Sequence, residues 1–185
     1  MSAAYCDMAP GHAVHAPYHG EEYGFPSRDD RVLFERLVLE INQAGLSWLT
    51  ILNKRLAFQA AYRGFDIDRV AGFDARDVKR LLADAGIIRN RLKIEAAIEN
   101  ARRLQAIRAE HGSFANWLDF HHPLSKPEWV KLFKRTFRFT GGEIVGEFLM
   151  SLGYLPGAHV ERCPIYARVL KLNPAWNRND KKSKR

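Results

Sequence analysis

Glu40 stands inside a helical apolar pattern, and Trp48 follows eight residues later, beyond Gly45. At about 100° per residue, Leu33, Phe34, Leu37, Val38, Ile41 and Ala44 share one stripe, with Glu40 at its edge. Val32 and Leu39 fall on the other side, which predicts a helix apolar nearly all round and central to the fold. A carboxylate there is desolvated and requires a partner, from the protein or from a ligand. Two uses compete. One is an ion pair with an arginine next to a core tryptophan. The other is a pocket in which an acid and an aromatic plate receive a flat, electron-poor or cationic ring.

A second group with chemistry lies at the two ends of the chain. Cys6 and Cys163 are the only cysteines; His19 follows the first and His159 precedes the second by four residues. Two thiolates and two imidazoles are the donor set of a tetrahedral structural zinc site. Such a site would anchor the N-terminal arm by closing a very long loop. The spacing is not that of a zinc finger. Two unrelated buried thiols, a disulfide, or His15 as an alternative i+4 partner for His19 remain open.

A third candidate is basic. Residues 76–108 hold nine Lys/Arg against four Asp/Glu. Leu81, Leu82 and Ala85 end one helical pattern at Gly86, and Ile94, Ala97, Ile98 and Ala101 begin the next. A hairpin of this form can offer backbone N–H groups at Gly86 and Ile87, and the second helix's N-terminus, to a phosphate, with Arg89, Arg91 and Lys93 nearby. An ordinary helix pair with a solvated basic face would look the same.

The elements that must position these residues are helical. Residues 1–26, rich in Gly, Pro, His and Tyr, are expected to form an irregular arm. Ser27, Asp29 and Asp30 offer a helix start, and Asp74 with Asp77 resembles a capping box. Further helices are expected over residues 49–58, after Gly112-Ser113, over residues 129–139 and from Gly141-Gly142 to Gly153. Nothing alternates convincingly at period two, so the fold class is all-α.

At 185 residues the chain suits one domain with a real core. No apolar window is long enough to span a membrane, and no basic-then-apolar segment opens the chain, so a cytoplasmic protein without membrane contact is expected. The net charge of +8 is uneven: residues 167–185 carry seven Lys/Arg and one Asp. They are expected to form a mobile basic tail after a domain spanning residues 1–166. Glu143 and Glu147 fall opposite the Ile144/Phe148/Leu149/Leu152 stripe and are expected on a solvated face. No phosphate cradle of the Walker or Rossmann kind occurs, and no Ser or Cys nucleophile has an adjacent basic partner, which excludes those enzyme classes.

Several words of the sequence are distinctive in combination: Tyr18-His-Gly-Glu-Glu-Tyr-Gly24, Gln43-Ala-Gly-Leu-Ser-Trp48 and Asp84-Ala-Gly-Ile-Ile-Arg-Asn-Arg91-Leu-Lys93-Ile. They resemble the DNA-3-methyladenine glycosylase I family from about Cys6 to Cys163, most strongly over residues 18–101. The resemblance implies a helix-hairpin-helix glycosylase fold that grips DNA with the 84–94 segment. It implies one structural zinc ion on Cys6, His19, His159 and Cys163, joining the chain ends. It also implies a base pocket of Glu40 as catalytic residue with Tyr18, Tyr23 and Trp48 around the base. Tyr23 stands where the family carries Trp, and Met8 replaces another Trp. Glu143 lies near a usual Thr, and so within reach of the pocket.

The expected function is hydrolysis of the N-glycosidic bond of 3-methyladenine, by a monomer acting on double-stranded DNA that contains alkylated purines. The alternatives are a glycosylase of the same fold for another alkylated base, and a non-catalytic helix-hairpin-helix DNA-binding protein.

Overall fold

Helix α3 (Asp30–Gln43) is the axle of the molecule, and every residue from Leu33 to Asn42 along it is buried. In the computed structural model, which describes residues 3–178, α3 packs against α4 (Trp48–Ala61), α5 (Ile67–Ala71), α7 (Arg91–His111), α8 (Phe114–His121) and α10 (Gly142–Ser151). The pattern apolar nearly all round is thus explained by neighbours on every side. The remaining helices are α1 (Ala3–Met8), α2 (His15–Glu21), α6 (Ala75–Ala83), α9 (Lys126–Thr136) and α11 (Pro164–Lys171). Two 3₁₀ turns complete them, and the described residues contain no strand.

Side-chain caps set most starts. Asp29 accepts from the Arg31 N–H at α3, Ser47 from Thr50 at α4, Asp66 from Arg69 at α5, and Asn90 from Lys93 at α7. Asp74 and Asp77 form a reciprocal capping box at α6, as their spacing suggests. Asp30 does more than begin α3: its carboxylate accepts from Phe114 and Ala115, 2.9 Å and 3.4 Å away, and so fixes the start of α8 against α3.

The N-terminal arm corrects the irregular expectation, since it carries α1 and α2. Helices of six and seven residues span fewer than two turns, too few to display a period. The arm is tied down by polar contacts. Glu22 and Glu35 share the Arg55 guanidinium, and Gln59 donates to Glu35 at 2.8 Å. Arg36 donates to the Ser151 carbonyl at 2.6 Å, and the Gly24 N–H to the same oxygen at 2.8 Å.

The far end also differs. The expected boundary after residue 166 falls inside α11, where Val169 is buried and Arg168 donates to the Gly20 carbonyl at 3.0 Å. Residues 179–185 of the expected tail lie outside the described residues. No helix of the described residues is long and apolar enough to cross a membrane.

Candidate active site and metal cluster

Glu40 is carried on α3 into a wholly buried position. Burial, followed by the negative charge of Glu147, raises its carboxyl from an ordinary 4.5 to about 8, while Arg36 one turn earlier pulls weakly the other way. The arginine partner that periodicity alone permitted is not made: Arg36 hydrogen-bonds Ser151, and Arg55 serves Glu22 and Glu35. Glu40 is next to aromatic walls instead. Its charge, after burial, raises the Tyr18 hydroxyl, and it also acts on Tyr23.

Tyr18 comes from α2 and Trp48 from the first turn of α4, with ring centroids 5.1 Å apart. Tyr23 follows α2, and its ring lies 5.8 Å from that of Tyr18. The Tyr18 hydroxyl and the Trp48 indole Nε1 are buried without a hydrogen-bond partner. Buried tyrosine and tryptophan polar atoms usually find one, so two orphans on neighbouring rings suit a polar ligand. Flatness, a carboxyl group and two unused polar atoms together suit a heteroaromatic base.

Glu147 corrects the expected solvated face. The Tyr23 hydroxyl donates to its Oε2 at 3.0 Å, bringing a second acid to the pocket wall. Glu143 points outward, its side chain 91% exposed, with Lys126 at 3.7 Å. The i, i+4 spacing of the two acids concealed their different surroundings. Only the polar hydroxyl of Tyr23, in need of a buried partner, could have signalled the contact.

The four chain-end ligands converge. One donor atom from each of Cys6, His19, His159 and Cys163 lies within 4.8 Å of all the others, and all four residues are buried. Cys6 Sγ and Cys163 Sγ each lie 3.8 Å from His159 Nδ1, and Cys163 Sγ lies 3.8 Å from His19 Nε2. A tetrahedral zinc with bonds of about 2.3 Å to sulfur and about 2.0–2.1 Å to nitrogen needs sulfur–nitrogen edges of about 3.6 Å. The cluster therefore fits such an ion.

Burial lowers His19 and His159 below the usual imidazole range, favouring the neutral form that binds metals. His159 Nε2 is 2.6 Å from the Tyr23 carbonyl oxygen, which holds the ring with Nδ1 toward the cluster. Gly24 permits this approach: it adopts φ +86°, and a Cβ there would meet Ala158 Cβ at 2.9 Å. The cysteines are free, not disulfide-bonded. His15 lies outside the cluster and contacts the Tyr5 hydroxyl at 3.2 Å.

The basic hairpin is the α6–α7 connection. Arg89 and Arg91 are exposed, Arg91 with Glu95 at 3.4 Å. Lys93 corrects its expected phosphate role. It is buried, and its ammonium donates to the carbonyls of Asn42 at 3.0 Å and Ala44 at 2.7 Å, satisfying the end of α3. The charge therefore serves to lock the hairpin to the pocket helix. The Gly86 N–H is also engaged, donating to Asp84 Oδ1 at 2.8 Å, and the Ile87 side chain is buried.

Gly86 is required for space: a Cβ would lie 2.9 Å from Ala57 Cβ. Gly86→Ala is expected to push the hairpin off α4 and destabilise the protein by about 1–3 kcal/mol, read as a lower urea midpoint. An unchanged midpoint would show that this contact is not tight.

Known proteins resemble this chain along most of its length. A model of the methyladenine glycosylase family matches residues 9–128. DNA-3-methyladenine glycosylase 1 of Escherichia coli (strain K12) is 34% identical over 180 residues, covering 87% of this chain and 96% of that protein. DNA-3-methyladenine glycosylase of Haemophilus influenzae is 31% identical, covering 86% and 96%. A solved structure of 3-methyladenine DNA glycosylase I from Staphylococcus aureus, described as the structural basis of its 3-methyladenine recognition, superposes with a TM-score of 0.78. It is 30% identical, with 89% of this chain and 97% of that one covered. With the family pattern matched across more than half its length and near-complete overlap with these relatives, the chain belongs to the methyladenine glycosylase family.

Proposed function

We infer that this protein is a DNA glycosylase that hydrolyses the N-glycosidic bond of 3-methyladenine in alkylated DNA. The observation that carries this reading is the wholly buried carboxyl of Glu40 acting on Tyr18, whose hydroxyl, like the indole Nε1 of the neighbouring Trp48, is buried without a partner. Methylation at N3 makes adenine cationic within the nucleotide and weakens its bond to the sugar. Such a base, flipped from the duplex, brings positive charge to Glu40. Its arrival favours ionisation of Glu40 and release of a proton.

In the proposed chemistry, Trp48 stacks on the base, Tyr18 and Tyr23 complete the walls, and Glu40 stabilises the cationic sugar and base. As the C1′–N9 bond breaks, its electron pair stays on the base, which leaves neutral. Water adds its oxygen to C1′ and gives up a proton to solvent. A strong general acid is unnecessary because the leaving group carries its own charge.

Residues up to α11 are taken as one helix-hairpin-helix glycosylase domain acting as a monomer on double-stranded DNA. Cys6, His19, His159 and Cys163 would hold one zinc ion, which supplies a structural crosslink between the chain ends when bound.

The DNA-gripping surface is proposed to be the hairpin tip, with Arg89, Arg91 and the first-turn N–H groups of α7 toward phosphates. The test has two arms. Charge reversal of Arg89 and Arg91 is expected to weaken duplex binding irrespective of sequence and to reduce the salt slope by about 2. Trp48→Ala is expected to leave duplex binding within about twofold and to lower base release by about tenfold or more, given stacking worth about 1–3 kcal/mol. Unchanged release in Trp48→Ala would contradict the pocket assignment.

A further inference from the structure

Buried Tyr23 and half-buried Glu147 form a polar pair that a simple aromatic wall does not need. Tyr23 is fully buried and hydrogen-bonded to Glu147 Oε2 at 3.0 Å. Its ring lies 5.8 Å from Tyr18, which in turn lies 5.1 Å from Trp48. Glu147, on α10, is thereby joined to the pocket on α2–α4 through a phenol whose own position is fixed at both ends. The Tyr23 hydroxyl is held by Glu147, and its backbone carbonyl is held by His159.

We propose that Glu147 is a specificity-determining residue that, through the Tyr23 hydroxyl, biases the pocket toward positively charged bases over neutral ones of the same shape. The proposal rests on the glycosylase reading above. Glu40 and Glu147 both act electrostatically on this site, so a positively charged base gains attraction that a neutral base of the same shape does not. In agreement, the charge of Glu147 is the largest influence after burial on Glu40. The bond also holds the Tyr23 hydroxyl toward α10.

Intrinsic tryptophan fluorescence of the full-length protein can follow two probes: the permanently cationic 3,9-dimethyladeninium and neutral 9-methyladenine. Glu147→Gln is expected to weaken binding of the cation by about tenfold and to leave the neutral probe within about twofold. Tyr23→Phe is expected to reduce the cation-to-neutral ratio in the same direction and not to add fully to Glu147→Gln. Equal weakening of both probes by each variant would indicate a merely structural role and overturn the proposal. Should Glu147→Gln not fold, Tyr23→Phe alone decides the outcome by the same ratio. Wild-type protein that releases no methylated purine from alkylated DNA overturns the glycosylase reading and this inference with it. Release by the wild type, with an unchanged ratio in the variants, overturns this inference alone.

Discussion

Glu40→Gln is expected to lower the rate of 3-methyladenine release by ~10²–10³-fold, the usual cost of deleting a preorganised charge that faces a cationic transition state. The same substitution is expected to stabilise the free protein as pH rises. The Glu40 carboxyl moves from an ordinary 4.5 to about 8 on folding, chiefly through burial. Between those values the folded chain holds a proton that the unfolded chain releases. The stability contributed by this group is therefore complete below about pH 4.5 and lost progressively as pH climbs through about 8.

Glutamine has no proton to lose. The melting temperature of Glu40→Gln minus that of wild type should be small at acidic pH and grow up to about pH 8. Catalysis should show the counterpart. The kcat/KM of wild type rises with pH along a limb set by Glu40 ionisation in the free enzyme, and the limb is absent in Glu40→Gln. A melting difference independent of pH would mean that Glu40 already has a compensating partner.

Cys163→Ser is expected to give the second large effect. Wild-type protein prepared without chelator should contain one zinc per chain, and the variant clearly less. Removing one thiolate from a four-ligand set leaves a weak site, and the metal's binding energy is folding energy when the ligands are brought together only by the fold. The crosslink would join residues far apart in the chain, Cys6 and His159 being separated by 153 in sequence number. A loss of at least ~3 kcal/mol, or ~10 °C in melting temperature for a domain of this size, is expected.

The pocket should suffer as well. Tyr18 directly precedes His19, and the Tyr23 carbonyl is bonded to His159, so two of its proposed walls are attached to residues of the Cys/His cluster. Metal analysis by mass spectrometry combined with thermal melts decides this. Metal-free wild-type protein with the same melt as the variant would contradict the zinc assignment.

Much of this arrangement was legible in the residues because it rests on strong local rules. The stripe and back face of α3 announced a helix buried on every side, and Asp29, Asp74 and Ser113 cap helices where their side chains predict. What escaped was tertiary. Lys93 looks like any hairpin cation, yet its stem spans the gap to the Asn42 and Ala44 carbonyls, a contact fixed only once α7 crosses the end of α3. Glu147 lies opposite an apolar stripe, and only the placement of Tyr23 after α2 turns its surroundings from solvent to pocket. Helices α1 and α2 are held by the cluster and by Glu22 rather than by an amphipathic face, so no periodic signal marks them.

The Glu40 pocket is expected to receive a cationic alkylated adenine and free it from DNA. Chromatographic identification of the bases released when purified protein is incubated with methylated duplex DNA decides this. Free 3-methyladenine is expected from wild-type protein, with strongly slowed release from Glu40→Gln. Release of no methylated purine, or equal release by both proteins, would contradict it.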